Sequence, residues 1–245
     1  MSSGSLCYAA PVAVSDTSAS RVEAVIRKLR EDIFHGRFPP GAPLRELSLA
    51  RDFSVSQATI REALQRLEHA GLVVRKPNVG STVTRLSPKD MRERVRLRAL
   101  LEVLAAQEAA PRMREEHFAE LERRLRVLEV AVGSDSYYEA AQADLDFHRY
   151  VWQCSGDDVL CRTLELLIIP LFAFVSILRS QGLQRLGAVV EAHEPLIAAL
   201  RSGNPATIRE AFERGATSSY RAFITDGPQQ TMAAAFGLLE TPVHL

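Results

Sequence analysis

Apolar residues recur three and four apart along most of this chain, and the stretches between them hold the glycines and prolines. Over 21–36, Val22, Val25, Ile26, Leu29, Ile33 and Phe34 share one helical stripe that closes at Gly36. RFPPGAPL then breaks the helix through Pro39, Pro40, Gly41 and Pro43. A second short helix is expected over 44–53, with Leu47, Ala50 and Phe53 facing inward. Ser56 is a good N-cap for a third, 56–70, whose inner face is Ile60, Leu64 and Leu67. Gly71 can take the left-handed conformation that ends it. LVVRK and STVTR, flanking PNVG, then read as a hairpin. Three short helices and a hairpin over 20–86 make a winged helix-turn-helix with a small β-hairpin wing.

From Met91 onward the period stays helical. Helices are expected over 91–112, 115–132, 136–153, 157–180, 185–202 and 205–224, with breaks at Gly133-Ser134, Ser155-Gly156, Gly182 and Gly203-Asn204-Pro205. No strand pattern competes. The expected fold is mainly α: the winged head, the connector RLSPKD (85–90) capped by Ser87 or Asp90, then an all-helical bundle over 87–229. Residues 1–19, rich in Ser and Ala, read as a disordered extension, and 230–245 as a tail. The apolar run 164–178 is broken by Pro170 and reads as a buried helix, too short to span a bilayer.

Length and charge sharpen this division. At 245 residues the chain is longer than one ordinary core needs, and 47% hydrophobic with 24% charged residues is globular composition. The formal charge of zero hides an asymmetry: residues 20–86 hold 12 basic and 7 acidic side chains, and 87–245 hold 18 and 22. A basic head on a mildly acidic body points to a polyanion at the head alone. Three cysteines (Cys7, Cys154, Cys161) without CxxC spacing suit a reduced, cytoplasmic compartment. No basic start followed by an apolar core marks a secretion signal.

The outer face of the third helix carries Gln57, Thr59, Arg61 and Gln65, behind Ser56. In a major groove, Arg reaches guanine acceptors or phosphate, and Gln pairs with an adenine edge. The free N–H groups of the helix start favour a nearby phosphate. Arg45 at the second helix and Lys76, Asn78 and Gly80 at the wing complete the expected DNA-contacting set. In the bundle, Asp144 and His148 lie four apart on one helical face, and His193 is a third candidate donor. Carboxylate with imidazole suits a divalent metal such as zinc, nickel or manganese. His35, His69, His117 and His244 have no partner at useful spacing and read as surface residues. The chain has no Glu-x-x-His, no GxSxG and no phosphate-binding glycine loop, so an enzyme, including a helical-bundle metalloenzyme, is not expected.

The run IRKLREDIFHGRFPPGAPLRELSLARDFSVSQATIREALQRLEHAGLV, with G-x-x-x-P-G-x-x-L, L-x-E-x-x-L-A, VS and REAL-x-x-LE-x-x-GLV, resembles the DNA-binding domain of GntR-type bacterial regulators. The rest is similar to the FadR branch, whose helical FCD-type domain binds effectors. The resemblance implies a dimeric, ligand-responsive transcriptional regulator, read as a repressor, on a pseudo-palindromic operator. It implies that Arg61 contacts phosphate or base. It also implies that Arg98, together with His148 and His193, can face a small carboxylate effector; the competing reading of Arg98 is a surface residue paired with Glu102. Many relatives bind metal through Asp-x-x-x-His and two later histidines; His193 matches the first, and Gly215 stands where the second would be. The family usually has Arg at Gln57, often Pro at Thr59, and commonly a basic residue at Val79. The alternative is a DNA-binding regulator with no metal or no effector.

Overall fold

Helix α1 (Asp16–Phe34) begins four residues before the boundary drawn from the sequence and buries the expected stripe, with Leu29, Ile33 and Phe34 fully covered. The structure, a computed structural model, describes residues 16–76, 79–134, 136–180, 188–218 and 220. The expectations for 1–15, the hairpin tip at Pro77 and Asn78, and the tail lie outside these residues. Strand β1 (Pro43–Leu44) replaces the expected start of the second helix, α2 (Glu46–Asp52). Proline's fixed φ and missing N–H suit an edge strand better than a helix interior. Leu47, expected to face inward, is 66% exposed, because α2 buries only Leu49. Helix α3 (Gln57–His69) starts where Ser56 Oγ accepts the Thr59 amide at 3.1 Å, and Gly71 follows it at φ 74°. Strands β2 (Val73–Lys76) and β3 (Gly80–Val83) pair antiparallel from Val73 opposite Val83 to Lys76 opposite Gly80. Strand β1 adds to the other edge of β3, giving the order β1-β3-β2.

The body is helical throughout its described residues: α4 (Pro88–Ala109), α5 (Glu115–Gly133), α6 (Tyr137–Ser155), α7 (Asp158–Ser180), α8 (Ala188–Glu191), α9 (Glu194–Ser202) and α10 (Pro205–Ser218). Ser87 and Asp90 cap α4 reciprocally, so both expected caps serve. The helix expected over 185–202 is interrupted at Ala192-His193, just before Pro195 opens α9. One core lies within the bundle, around Phe118, Leu121, Phe147, Val151, Leu196 and Phe212. A second runs through head and body together, joining Leu29, Phe34, Ile60 and Leu64 to Trp152, Leu164, Ile168 and Phe172.

Helix α7 is the seam between the two. Asp158–Ile177 is long and apolar enough to cross a membrane by length and composition, correcting the shorter reading, since α7 runs unbroken through Pro170. Two thirds of that stretch (67%) is buried in the protein, the pattern of a core helix. Proline takes one amide from the helix ladder, and Arg94 Nη1 covers the freed region by donating to the carbonyls of Leu166 (3.3 Å) and Leu167 (3.1 Å). The turn after α3 seats on this spot: a Cβ at Gly71 would stand 3.1 Å from Pro170 Cγ.

Candidate functional site

On the head, Gln57, Arg61 and Gln65 follow one another at helical spacing along the exposed side of α3. Ser56 and Thr59 are spent locally: their hydroxyls lie 2.8 Å apart within the cap. Arg45 precedes α2 as its exposed, extended N-cap, and Lys76 and Gly80 are exposed on the wing. Gly80 holds φ 108°, a conformation closed to most side chains. Asn78 lies outside the described residues. Glu46, which pattern reading passed over, faces this group from α2. Its carboxylate accepts Arg61 Nη2 at 2.9 Å and Nε at 3.4 Å, and Gln57 Nε2 at 3.3 Å.

In the bundle, α4, α6 and the break before α9 bring five charged or polar side chains into a buried cluster. Asp144, His148 and His193 each offer a ligand atom, all within 4.8 Å of one another. His193 Nδ1 donates to the Val189 carbonyl at 2.7 Å, which turns Nε2 toward Asp144 Oδ1 at 3.1 Å. His148 presents Nδ1 to Glu102 Oε1 at 3.1 Å, while Nε2 faces Asp144 Oδ1 at 3.4 Å and Arg98 Nη2 at 3.3 Å. Arg98 Nε donates to Glu102 Oε2 at 3.1 Å, and Nη1 to the Tyr220 hydroxyl at 3.4 Å. Arg98 is therefore paired with Glu102 but buried, at 4% exposure, which removes the surface reading.

Desolvation opposes every charge here, and the charges hold one another. Burial works against His148 protonation, but Glu102 and Asp144 outweigh it and lift its pKa to about 9. Burial would raise Glu102, yet Arg98 and His148 hold it down at about 2. Asp144 likewise stays well below the usual carboxylate range, against its burial, through His148 and His193.

Does this donor set fit a metal? Asp144 Oδ1 and His193 Nε2 are buried without a hydrogen bond although they lie 3.1 Å apart. A cation between them relieves that arrangement, and one carboxylate with two imidazoles is suitable chemistry for a divalent ion. The Val189 carbonyl and Glu102 supply the outer partners that orient such histidines. Gly215 lines the same pocket, and a Cβ there would meet Leu196 Cδ2 at 3.3 Å, so a fourth side-chain donor is missing on that wall. The set fits with three donors. The pocket around these donors is partly open to solvent and is bordered by Arg98, Phe172, Val175 and Tyr220. Glu102 and Tyr220 belong to the cluster; the sequence named Glu102 only as a surface partner of Arg98, through their i, i+4 spacing, and did not point to Tyr220.

Residues 21–83 match the model of the bacterial regulatory proteins of the gntR family, and residues 93–215 match the FCD domain. The chain is 34% identical over 175 residues to a protein described as a "Probable D-xylose utilization operon transcriptional repressor" from Paenarthrobacter nicotinovorans, covering 71% of this chain and 76% of that one. It is 30% identical to the HTH-type transcriptional repressor RspR of Escherichia coli K12, over 59% of this chain and 64% of that one. The solved E. coli McbR/YncC shares the fold, with a TM-score of 0.70 at 22% identity, covering 83% of this chain and 96% of that one. The winged head and the helical body therefore have one description, that of regulators rather than enzymes: the chain belongs to the GntR family of bacterial DNA-binding transcriptional regulators, with an FCD effector-binding domain behind its head.

Proposed function

We propose that this chain is a metabolite-responsive repressor that binds a pseudo-palindromic operator as a dimer, in the bacterial cytoplasm. Residues 20–86 form the reading head and 87–229 the sensing and pairing body. The leading turns of α3 enter the major groove with Gln57, Arg61 and Gln65, and Lys76, Asn78 and Gly80 of the wing approach the neighbouring backbone or minor groove. Arg45 and the Ser56-capped start of α3 lie against phosphate. Exposed leucines at 97, 100 and 104 of α4 and 166 of α7 give a second copy an apolar face to cover. Asp144, His148 and His193 hold a divalent ion, which supplies a Lewis-acid anchor for an effector oxygen. Arg98, on the pocket wall, offers a small carboxylate a charged partner.

The observation that carries this reading is the buried Asp144–His193 pair, two polar atoms in contact range with no hydrogen bond, beside a buried arginine in a pocket open to solvent. A regulator with no ligand would be better served by an apolar interior. The pocket also touches the seam: Phe172 and Val175 line it, and Pro170 of the same helix carries the head. A ligand that shifts α7 thus has a short path to head spacing, and coupling of about 1–3 kcal/mol is ordinary for such a link.

The test is calorimetric titration of the purified chain with Zn²⁺ and Mn²⁺, with and without His148→Ala. Equal binding by both proteins, or by neither, removes the ligand set. A panel of small carboxylates is then added to the protein on DNA selected from a random library. No change in DNA affinity with any of them removes the effector reading.

A further inference from the structure

Glu46 is the one acidic side chain among the described residues that grips two members of the α3 reading face. The energy of that grip does not explain it, since exposed ion pairs contribute little to stability. The field at the start of α2 accounts for a carboxylate at that position. It does not account for a fork onto two side chains of another helix, at 2.9 and 3.4 Å to Arg61 and 3.3 Å to Gln57. The side chain of Glu46 is 23% exposed against 57% for Arg61, so the carboxylate is the fixed member and the guanidinium the one being held.

The geometry of the hold matters because a guanidinium has two usable edges. Glu46 takes the side edge, formed by Nε and Nη2. The end edge, formed by the outer N–H of Nη2 and those of Nη1, is left for a partner. Two parallel donors on that edge match the N7 and O6 acceptors that guanine shows in the major groove. Gln57 is constrained in a complementary way. Only its NH₂ can face a carboxylate, since a carbonyl there would meet like charge, so its carbonyl is turned outward as an acceptor. An outward acceptor matches the amino group of cytosine N4 or adenine N6 and nothing on guanine or thymine.

We propose that Glu46 is a positioning residue that sets sequence preference: it aims Arg61 at a guanine and Gln57 at an adjacent amino-bearing base. This rests on α3 being the reading helix. It replaces the expectation that Gln57 offers both of its amide groups to an adenine. It also gives Arg61 a base rather than a phosphate.

Selection from a random double-stranded DNA library separates the possibilities, using the full-length chain, Glu46→Gln, Glu46→Ala and Arg61→Ala. The wild-type chain should select a guanine beside an adenine or cytosine in each half-site. Both Glu46 variants should weaken that guanine preference about tenfold, with Glu46→Gln the milder. They should keep the wild-type melting temperature, which a merely structural role would lower. Their binding to unselected DNA should tighten, with a steeper salt dependence, because the freed Arg61 moves to phosphate and a negative charge has gone. If Arg61→Ala costs affinity while the Glu46 variants select the same guanine with the same discrimination, the inference is wrong. If Arg61→Ala changes nothing, α3 is not the reading helix, and the inference falls with that reading.

Discussion

Two carboxylates, Glu46 on the head and Glu102 in the body, do similar geometry in opposite surroundings. Each accepts from an arginine Nε and has a second nitrogen-bearing side chain beside it, Gln57 as a hydrogen-bond donor to Glu46 and His148 at ion-pair distance from Glu102. Glu46 and its partners sit at the surface, where water can replace any one of them. Glu102 is 1% exposed, and its partners Arg98 and His148 are buried with it. The same ionic contact is thus adjustable on the head and obligatory in the body. The proposed reading face uses the first kind: Arg61 can stay on Glu46 through one edge while water on its other edge gives way to a base. The proposed effector pocket uses the second, since its buried charges fix one another's positions.

The contrast is broken most severely at Glu102. Glu102→Ala strands Arg98 and His148 without their carboxylate and should cost about 3–5 kcal/mol in urea denaturation, whereas Glu62→Ala, in the exposed pair with Arg66, should cost under about 1 kcal/mol. Equal losses would mean that water reaches the buried cluster. Next comes Arg61→Ala, expected to weaken binding to selected DNA by about 1–3 kcal/mol while leaving the folding midpoint in place. A shifted midpoint with unchanged DNA affinity would reverse the assignment of the two clusters.

The third test is pH. In the ion-free chain His148 is raised from 6.5 to about 9, so its contribution to stability is complete below about pH 6.5 and is lost as pH rises through about 9. Metal needs the same imidazole without its Nε2 proton. Zn²⁺ affinity should therefore climb with pH, up to about tenfold per unit, until pH 9, while ion-free stability falls over the same range. Flat zinc affinity between pH 6 and 8 would remove His148 as a competing proton site. The smallest effect is at Ser54, a non-glycine residue at φ 53° in the turn before α3. Ser54→Gly should relieve left-handed strain, offset in part by unfolded-chain entropy, for a gain of about 0.5 kcal/mol. An equal loss in thermal denaturation would show that entropy prevails there.

The sequence made the head almost fully legible, because its signals are local. The Ser56 cap, the Ile60-Leu64-Leu67 face and the left-handed Gly71 each depend on neighbours a few residues away, and all appear in the structure. Leu47 misled because α2 has only seven residues, and two turns do not define a buried face. Strand β1, at two residues, is too short to show any period and exists only through β3. Long-range facts were the least visible. Asp144, His148 and His193 bring their ligand atoms within 4.8 Å of one another, a closeness that spacing showed only for the first two and the family likeness for the third. Glu102, however, looked like half of a surface pair, since an i, i+4 Arg–Glu spacing reads the same wet or dry. The interruption at Ala192-His193 carried a usable sign in Pro195, but no glycine drew attention to it.

The close seat of Gly71 on Pro170 bears on how such regulators can be recombined. A side chain at 71 would press on a pyrrolidine ring 3.1 Å away, in a backbone conformation that already favours glycine. Heads and bodies are therefore not freely interchangeable modules: a chimaera that grafts a foreign head onto this body inherits the ring and must bring its own glycine to meet it.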